Sequence, residues 1–470
     1  MTTRTLDTDY LIVGCGAAGM AFADALIAAS DAEVVMVDRR HAPGGHWHDA
    51  YPFVRLHQPS AYYGVNSLPL GSEAIDRHGP NKGFYERAGA SEICAYFDRV
   101  MQQVLLPSGK VRYFPMCEYM GGHRFVSRLS GDEFQVRVRK RQVDAAYLEP
   151  SVPATFAPPF EVEPGARVVP VNDLVRMASR ADGYVIVGAG KTAVDACLWL
   201  LETGVAPEAI TWIKPREAWL LNRHFAQCGE LVGSLFEGLS LQLEAAAQAT
   251  SLDDLFARLE ATRQIFRVDE EVAPSMYTSA TMSTGELEQL RRIRNVVRLG
   301  RVRRIERDRI VLEGGTLPTN TRHLHVHCAA KGLKAAPALP IFTAERITLQ
   351  PIRSGLIPFN SAIVAFVEAT RDDLVEKNRL CPPNPLPDVP LDWVKGTFIG
   401  MQADYLWSKQ PDLRDWLERA RLNPSRGIMA RAGDPQVQAA ATRFQANVRP
   451  GLAQLGRFAA EQPRANRSTA

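Results

Sequence analysis

What most limits the fold of this chain is one pattern that occurs twice. Tyr10-Leu11-Ile12-Val13 runs into Gly14-Cys15-Gly16-Ala17-Ala18-Gly19, and Tyr184-Val185-Ile186-Val187 runs into Gly188-Ala189-Gly190-Lys191-Thr192-Ala193. In each case a short apolar stretch and a glycine turn precede a helical stretch (17–29 and 194–202) and then a second apolar stretch (33–37 and 209–213). Strand, tight turn, helix and parallel strand form the opening unit of a doubly wound sheet. The turns begin 174 residues apart, so a duplicated dinucleotide-binding unit is expected.

In such a turn the first glycine permits the bend. The second lets backbone approach a diphosphate, and the third lets helix and strand pack closely. The helix N-terminus then offers unpaired N–H groups and the positive end of its dipole to the anion. At the first turn the binding residues expected are Gly14, Gly16, Ala18 and Gly19, with Asp38 and Arg39 at the end of the next strand. A carboxylate there accepts a bond from a ribose 2′-hydroxyl. At the second turn they are Gly188, Gly190, Lys191 and Thr192, and the next strand ends on Lys214 and Arg216 instead of an acid. Cations suit a 2′-phosphate, so the second site is assigned NADPH and the first FAD; the alternative is that these two cations are solvated surface charges. The fold expected is α/β, with two Rossmann-like dinucleotide-binding domains, a helical insertion and a helical C-terminal tail.

The FAD domain is expected over 1–160 and 310–400, and the NADPH domain over 161–309 with the insertion near 230–295. A helical region follows over 401–470. The proline-rich stretch 150–170 marks the crossover between the first two. Alternation predicts half-buried antiparallel strands at 111–114, 124–129 and 133–139, and a helix at 92–104. Further strands are expected at 296–307, 309–313 and 324–329, and a frayed end at 463–470.

A formal net charge of +3, from 55 basic and 52 acidic residues, makes no case for a nucleic-acid partner. Seven cysteines without C-x-x-C spacing fit a reduced, cytoplasmic protein and leave no redox-active pair. No stretch reaches eighteen apolar residues, so no membrane span is expected. No metal site is expected. Cys15 lies inside the first turn and is read as packing.

With Gly44-Gly45-His46-Trp47 shortly after Asp38, and GAGKTAVDA in the second unit, the chain resembles class B flavoprotein monooxygenases, the flavin-containing and Baeyer–Villiger enzymes. The resemblance covers roughly 8–220. It implies that Gly45, His46 and Trp47 border the flavin, and that the Tyr51-Pro52 segment leads to residues beside the reacting rings, through Gln58. His57 falls where that family carries Asp or Asn, and Arg55 matches an arginine of the Baeyer–Villiger branch; both are candidate catalytic residues. His57 can exchange a proton near neutral pH or serve as a hydrogen-bonded structural histidine. The sequence departs from the family at 160–170, which lacks the fingerprint histidine, and at 325–332, where an acid followed by Ala-Thr-Gly is usual. The resemblance implies NADPH-dependent transfer of one oxygen atom from O2 to a small organic molecule, through an oxygen adduct of reduced flavin. An NADPH-linked reductase or dehydrogenase, an oxidase, and a non-catalytic FAD-binding redox sensor are the alternatives. Trp219, Asn222, Arg223 and His224 are candidates to line the substrate pocket, and a homodimer is a possible assembly.

Overall fold

A computed structural model describes residues 3–461 except 331, 334 and 335; the end expected to fray lies outside the described residues. The chain begins with β1 (Thr3–Val13), α1 (Ala17–Ala29) and β2 (Val34–Val37). All four residues of β2 are buried, as in a strand covered on both faces. Residues 38–89 run as irregular backbone with short helical turns. α2 (Ala90–Val100), β3 (Val111–Phe114), the hairpin β4 (Cys117–Gly121) and β5 (Arg124–Ser127), and the long β6 (Glu133–Asp144) follow.

Next come β7 (Glu161–Val162), β8 (Val168–Pro170) and the second unit: β9 (Gly183–Val187), α3 (Lys191–Glu202) and β10 (Ile210–Ile213). Then follow β11 (Ala218–Asn222), α4 (Val232–Gln248), α5 (Leu252–Ala261), β12 (Ile265–Phe266), β13 (Met276–Met282), α6 (Thr284–Leu290) and β14 (Val296–Val297). β15 (Val302–Ile305), β16 (Arg309–Leu312), β17 (Gly315–Pro318), β18 (His323–His327) and β19 (Arg346–Thr348) complete the strands. The chain ends in helices α7 (Ile357–Thr370), α8 (Leu374–Leu380), α9 (Pro390–Ser408), α10 (Pro411–Arg419) and α11 (Pro435–Ala460).

The strands form two main sheets. The first has the order β3-β2-β1-β6-β5-β4 with β19 also on β6, and the second is β14-β10-β9-β18-β8, parallel throughout. α1 is apolar on nearly every side because it is sandwiched between the first sheet and α7, where Met20, Phe22, Leu26, Phe359 and Ile363 are fully buried. α11 packs along α4, so the helical tail covers the helical insertion.

Several expectations need correction. β3 pairs parallel with β2, and β6 is parallel to β1; antiparallel pairing is found at β4–β5 and β5–β6. The helix expected to reach 104 leaves α-geometry after Val100. The insertion is not wholly helical, since it contains β12 and β13, which form a small sheet with the preceding β11. The boundary at 310 also moves. β16 pairs with β15 and β17 with β16, and β18 lies between β9 and β8 in the second sheet, so the chain returns to the first sheet only at β19. The departure at 325–332 therefore starts on a second-domain strand. No helix of the described residues is long and apolar enough to cross a membrane.

Candidate functional site

Both glycine turns sit at the carboxyl ends of parallel strands. Gly14 N–H donates to the Val37 carbonyl (2.9 Å) and Gly188 N–H to the Ile213 carbonyl (3.1 Å), so each turn is tied to its second strand in the same way. Gly14 has φ +103° and Gly188 φ +146°. α1 and α3 begin at Gly16 and Gly190 with no side-chain cap and no acid in the first turn. Neither helix start is thus capped by a side chain or an acid of its own first turn.

Backbone closes over the first turn. Gly45 has φ +61°, and a Cβ there would lie 2.9 Å from Gly16 Cα; Gly44 N–H donates to the Cys15 carbonyl (2.9 Å). Asp38 is buried. Its Oδ2 accepts from Cys15 N–H (2.6 Å) and its Oδ1 from Arg40 N–H (2.8 Å), so the acid expected to meet a ribose also holds the turn. Arg39 pairs with Glu149 at the surface, and Ala18 packs on the first core. Burial raises the Cys15 thiol pKa far above its usual range, in keeping with packing. His46 stacks on Trp47 (5.0 Å), whose Nε1–H donates to Tyr63 OH (2.8 Å). Burial, followed by the charge of Arg40, lowers the His46 pKa to about 4. A cavity of about 260 Å³ opens beyond β6 and β19, lined by Leu148, Gln350, Pro351 and Asn384.

The second turn is open: a Cβ on Gly190 would meet nothing within 4 Å. Lys191 pairs with Asp195 one turn along α3, and Tyr51 OH donates to Asp195 Oδ2 (2.7 Å). Thr192 is close to the Tyr51 hydroxyl. Phe53 stacks on Trp199 (4.8 Å between rings, 15° between planes). The segment that leaves the first turn therefore lies along the helix of the second. Lys214 and Arg216 are not free cations. Lys214 is 3% exposed, sits over Trp212 (4.3 Å) and pairs with Glu217; Arg216 is held by both oxygens of Asp388 (2.8 and 2.6 Å).

His57 and Gln58 are partly buried between the two units, where Thr281 Oγ1–H donates to the His57 carbonyl (2.6 Å). Burial first, then the charges of Lys191, Arg223 and Arg87, push the His57 pKa well below the ordinary histidine value. These surroundings favour the neutral ring and speak against the reading of His57 as a proton exchanger near neutral pH. Arg55 is exposed, and its Nη1–H donates to the Arg87 carbonyl (3.0 Å). The arginines that bear on the His57 ring are Arg87 and Arg223, both bound to Glu286 (3.0 and 2.7 Å). Of the residues expected to line the pocket, Arg223 belongs to this cluster. Trp219 packs with Phe256 instead, Asn222 caps the turn carrying His224, and His224 meets Phe84 and Phe225 edge-on. Sequence reasoning missed Arg87, Asp195 and Glu286. Ser283 and Glu286 form a capping box, which reads in sequence as a helix start and not as part of a site.

Residues 12–73 match the family model described as NAD(P)-binding Rossmann-like domain. The chain is 51% identical over 421 residues to "Uncharacterized protein Rv2000" of Mycobacterium tuberculosis, covering 89% of this chain and 78% of that one. "Uncharacterized protein Mb2023" of Mycobacterium bovis matches to the same extent. Among solved structures, an oxidised steroid monooxygenase bound to NADP aligns at a TM-score of 0.48 and 14% identity, over 96% of each chain. A flavin-containing monooxygenase from Stenotrophomonas maltophilia aligns at 0.42 and 15%, over 80% of this chain and 99% of that one.

Proposed function

Because the chain belongs to the family of these mycobacterial proteins, whose names carry no activity, we propose its function from its own residues: an NADPH-dependent flavoprotein monooxygenase acting on a small molecule. The observation that carries this reading is the path of residues 44–58. It starts on the first glycine turn, runs along the helix of the second, and sets His57 between the two units. Two bound dinucleotides would need such a bridge to bring their reactive ends together.

The residues fit both groups. Uncapped N-termini of α1 and α3 suit two diphosphates, and glycine at 16 and 190 leaves room for backbone approach. FAD would be held by Gly14, Gly16, Gly19, Asp38 and Gly45 at the first turn, and NADPH by Gly188, Gly190, Lys191 and Thr192 at the second. Flavin supplies hydride acceptance and oxygen chemistry when bound; the protein's part is placement and exclusion of water.

Tyr51 and Phe53 orient the bridge on α3. Tyr51 keeps its proton on the phenol oxygen, since burial and the Asp195 carboxylate push its pKa far up. His57, neutral, offers a hydrogen bond to a reacting group without adding a charge. The 2′-phosphate would take Arg216 from Asp388, because Lys214 is too deeply paired to serve. Cytoplasmic location and a homodimer remain part of this reading.

The test is anaerobic reduction of the purified yellow protein by NADPH, followed by oxygenated buffer and product analysis. A spectral transient between reduced and reoxidised flavin, with substrate oxygen derived from O2, is the expected result. Direct reoxidation with stoichiometric hydrogen peroxide assigns a reductase or oxidase instead.

A further inference from the structure

The cluster beside His57 holds more positive charge than its own acids neutralise. Arg223 is fully buried and Arg87 is 8% exposed. They come from different units, Arg87 from the excursion of the first domain and Arg223 from the turn after β11, and both bind one carboxylate, Glu286. Glu286 has little left to give, since Oε1 takes Arg87 while Oε2 takes Arg223 and the Ser283 N–H (2.8 Å). The next cation, Lys191, is neutralised by Asp195. His57 adds no counter-charge, and Glu202 nearby faces Arg55 as well as Arg87, so the two guanidinium groups share a single directly bound carboxylate.

The donors are also incompletely used. Arg87 Nη1–H reaches the Leu56 carbonyl (3.2 Å), and Arg223 reaches Asn81 Oδ1 (3.2 Å) and the Thr281 carbonyl (3.4 Å). The Nε of Arg87 and the Nε of Arg223 are buried with no hydrogen-bond partner. A buried cation without a counter-charge and a buried donor without an acceptor each cost free energy. One oxyanion relieves both, because planar guanidinium donors match a carboxylate. Arg87 also lines a cavity of about 330 Å³ together with Arg55 and Arg99. The acids of that cavity, Asp76, Glu86 and Glu92, accept from the neutral donors of Asn81, Ser72 and Gly89 and keep their charge, so it is the unmet donors of the buried arginine pair, not the charge of the cavity, that favour an anion.

We propose that Arg87 and Arg223 form an oxyanion subsite beside His57, entered from the cavity that Arg87 lines, and that the molecule this protein acts on carries a carboxylate. The substrate class rests on the enzymatic reading above; anion binding by the two arginines does not. A nucleotide phosphate is the other source of the same chemistry, and the experiment separates the two.

The full-length protein with its cofactor is melted in increasing sodium acetate, with sodium chloride and acetamide at matched concentrations as controls. Acetate is small enough to enter any pocket that accepts a larger carboxylate. A saturable rise in Tm with acetate, beyond that with chloride and absent with acetamide, is expected. Arg223→Gln and Arg87→Gln should each weaken apparent acetate affinity about tenfold or more. Should either variant fail to fold, the wild-type comparison of acetate with chloride and acetamide decides alone. Equal responses to acetate and chloride overturn the subsite, as does full retention in both folded variants. The titration is repeated with saturating NADPH. Loss of the acetate response there gives the subsite to a nucleotide phosphate and overturns the substrate class; persistence supports it. Since Tm is read without turnover, failure of the monooxygenase reading leaves this result interpretable.

Discussion

The two glycine turns are built on one plan and finished differently. At the first, a Cβ on Gly19 would lie 2.0 Å from the Gly14 carbonyl oxygen, so helix and turn touch at a point where only glycine fits. The second has Ala193 at that place, fully buried. The first turn is closed over by the backbone of Gly45, whereas the second has open space in front of Gly190. The closed geometry suits a group that stays and the open one a group that is exchanged. Their strand ends differ as well: Asp38 holds its own turn, while Lys214 is turned inward to Glu217.

The largest expected effect attacks the tighter turn. Gly19→Ala should cost about 3 kcal/mol or more of stability through steric overlap, whereas Ala193→Gly should cost about 1 kcal/mol. Urea unfolding compares them, and equal costs would erase the distinction. Next, Gly190→Ala should change stability by less than about 1 kcal/mol, because the site is open. The same variant should weaken NADPH binding about tenfold through loss of close backbone approach, with flavin content unchanged. Loss of flavin from this variant would mean that the two turns do not serve separate ligands.

A smaller effect is expected at the paired cations. Asp388→Asn frees the half-buried Arg216 and should tighten NADPH relative to NADH by about two- to fivefold, the range of a surface ion pair. Arg216→Ala should do the reverse. Titration of each coenzyme checks both, and an unchanged ratio removes Arg216 from coenzyme selection. A last effect is read against pH and concerns the cover of the first turn. His46 has its pKa lowered from 6.5 to about 4. Between those values the unfolded chain binds the proton and the folded chain does not, so stability falls as pH drops through this window and levels off below it. His46→Gln should flatten that slope in denaturation measured from pH 7 to pH 4.

The elements that sequence made plain are those whose cause is local. Strand, glycine turn and helix are specified within about twenty residues by apolar runs and by the absence of Cβ atoms, and both units stand where the pattern places them. The sequence pattern puts β18 in the wrong sheet because a short apolar strand carries no label for its neighbour, and its pairing with β9 spans 140 positions. The site was legible in part. His57 and Arg223 lie together as candidates, but the motif points to Arg55 and says nothing of Arg87, because exposure is not written there.

By itself, then, the sequence determined the two turns, the helices they open and the kind of group such turns bind, because backbone geometry and steric fit act between near neighbours. Which charges remain available was decided only by tertiary structure. Arg87 meets Glu286 across 199 positions, Arg216 meets Asp388 across 172, and Tyr51 meets Asp195 across 144. A charged side chain is a binding group or a structural tie according to the partner the fold brings to it, and that partner lies beyond any local pattern.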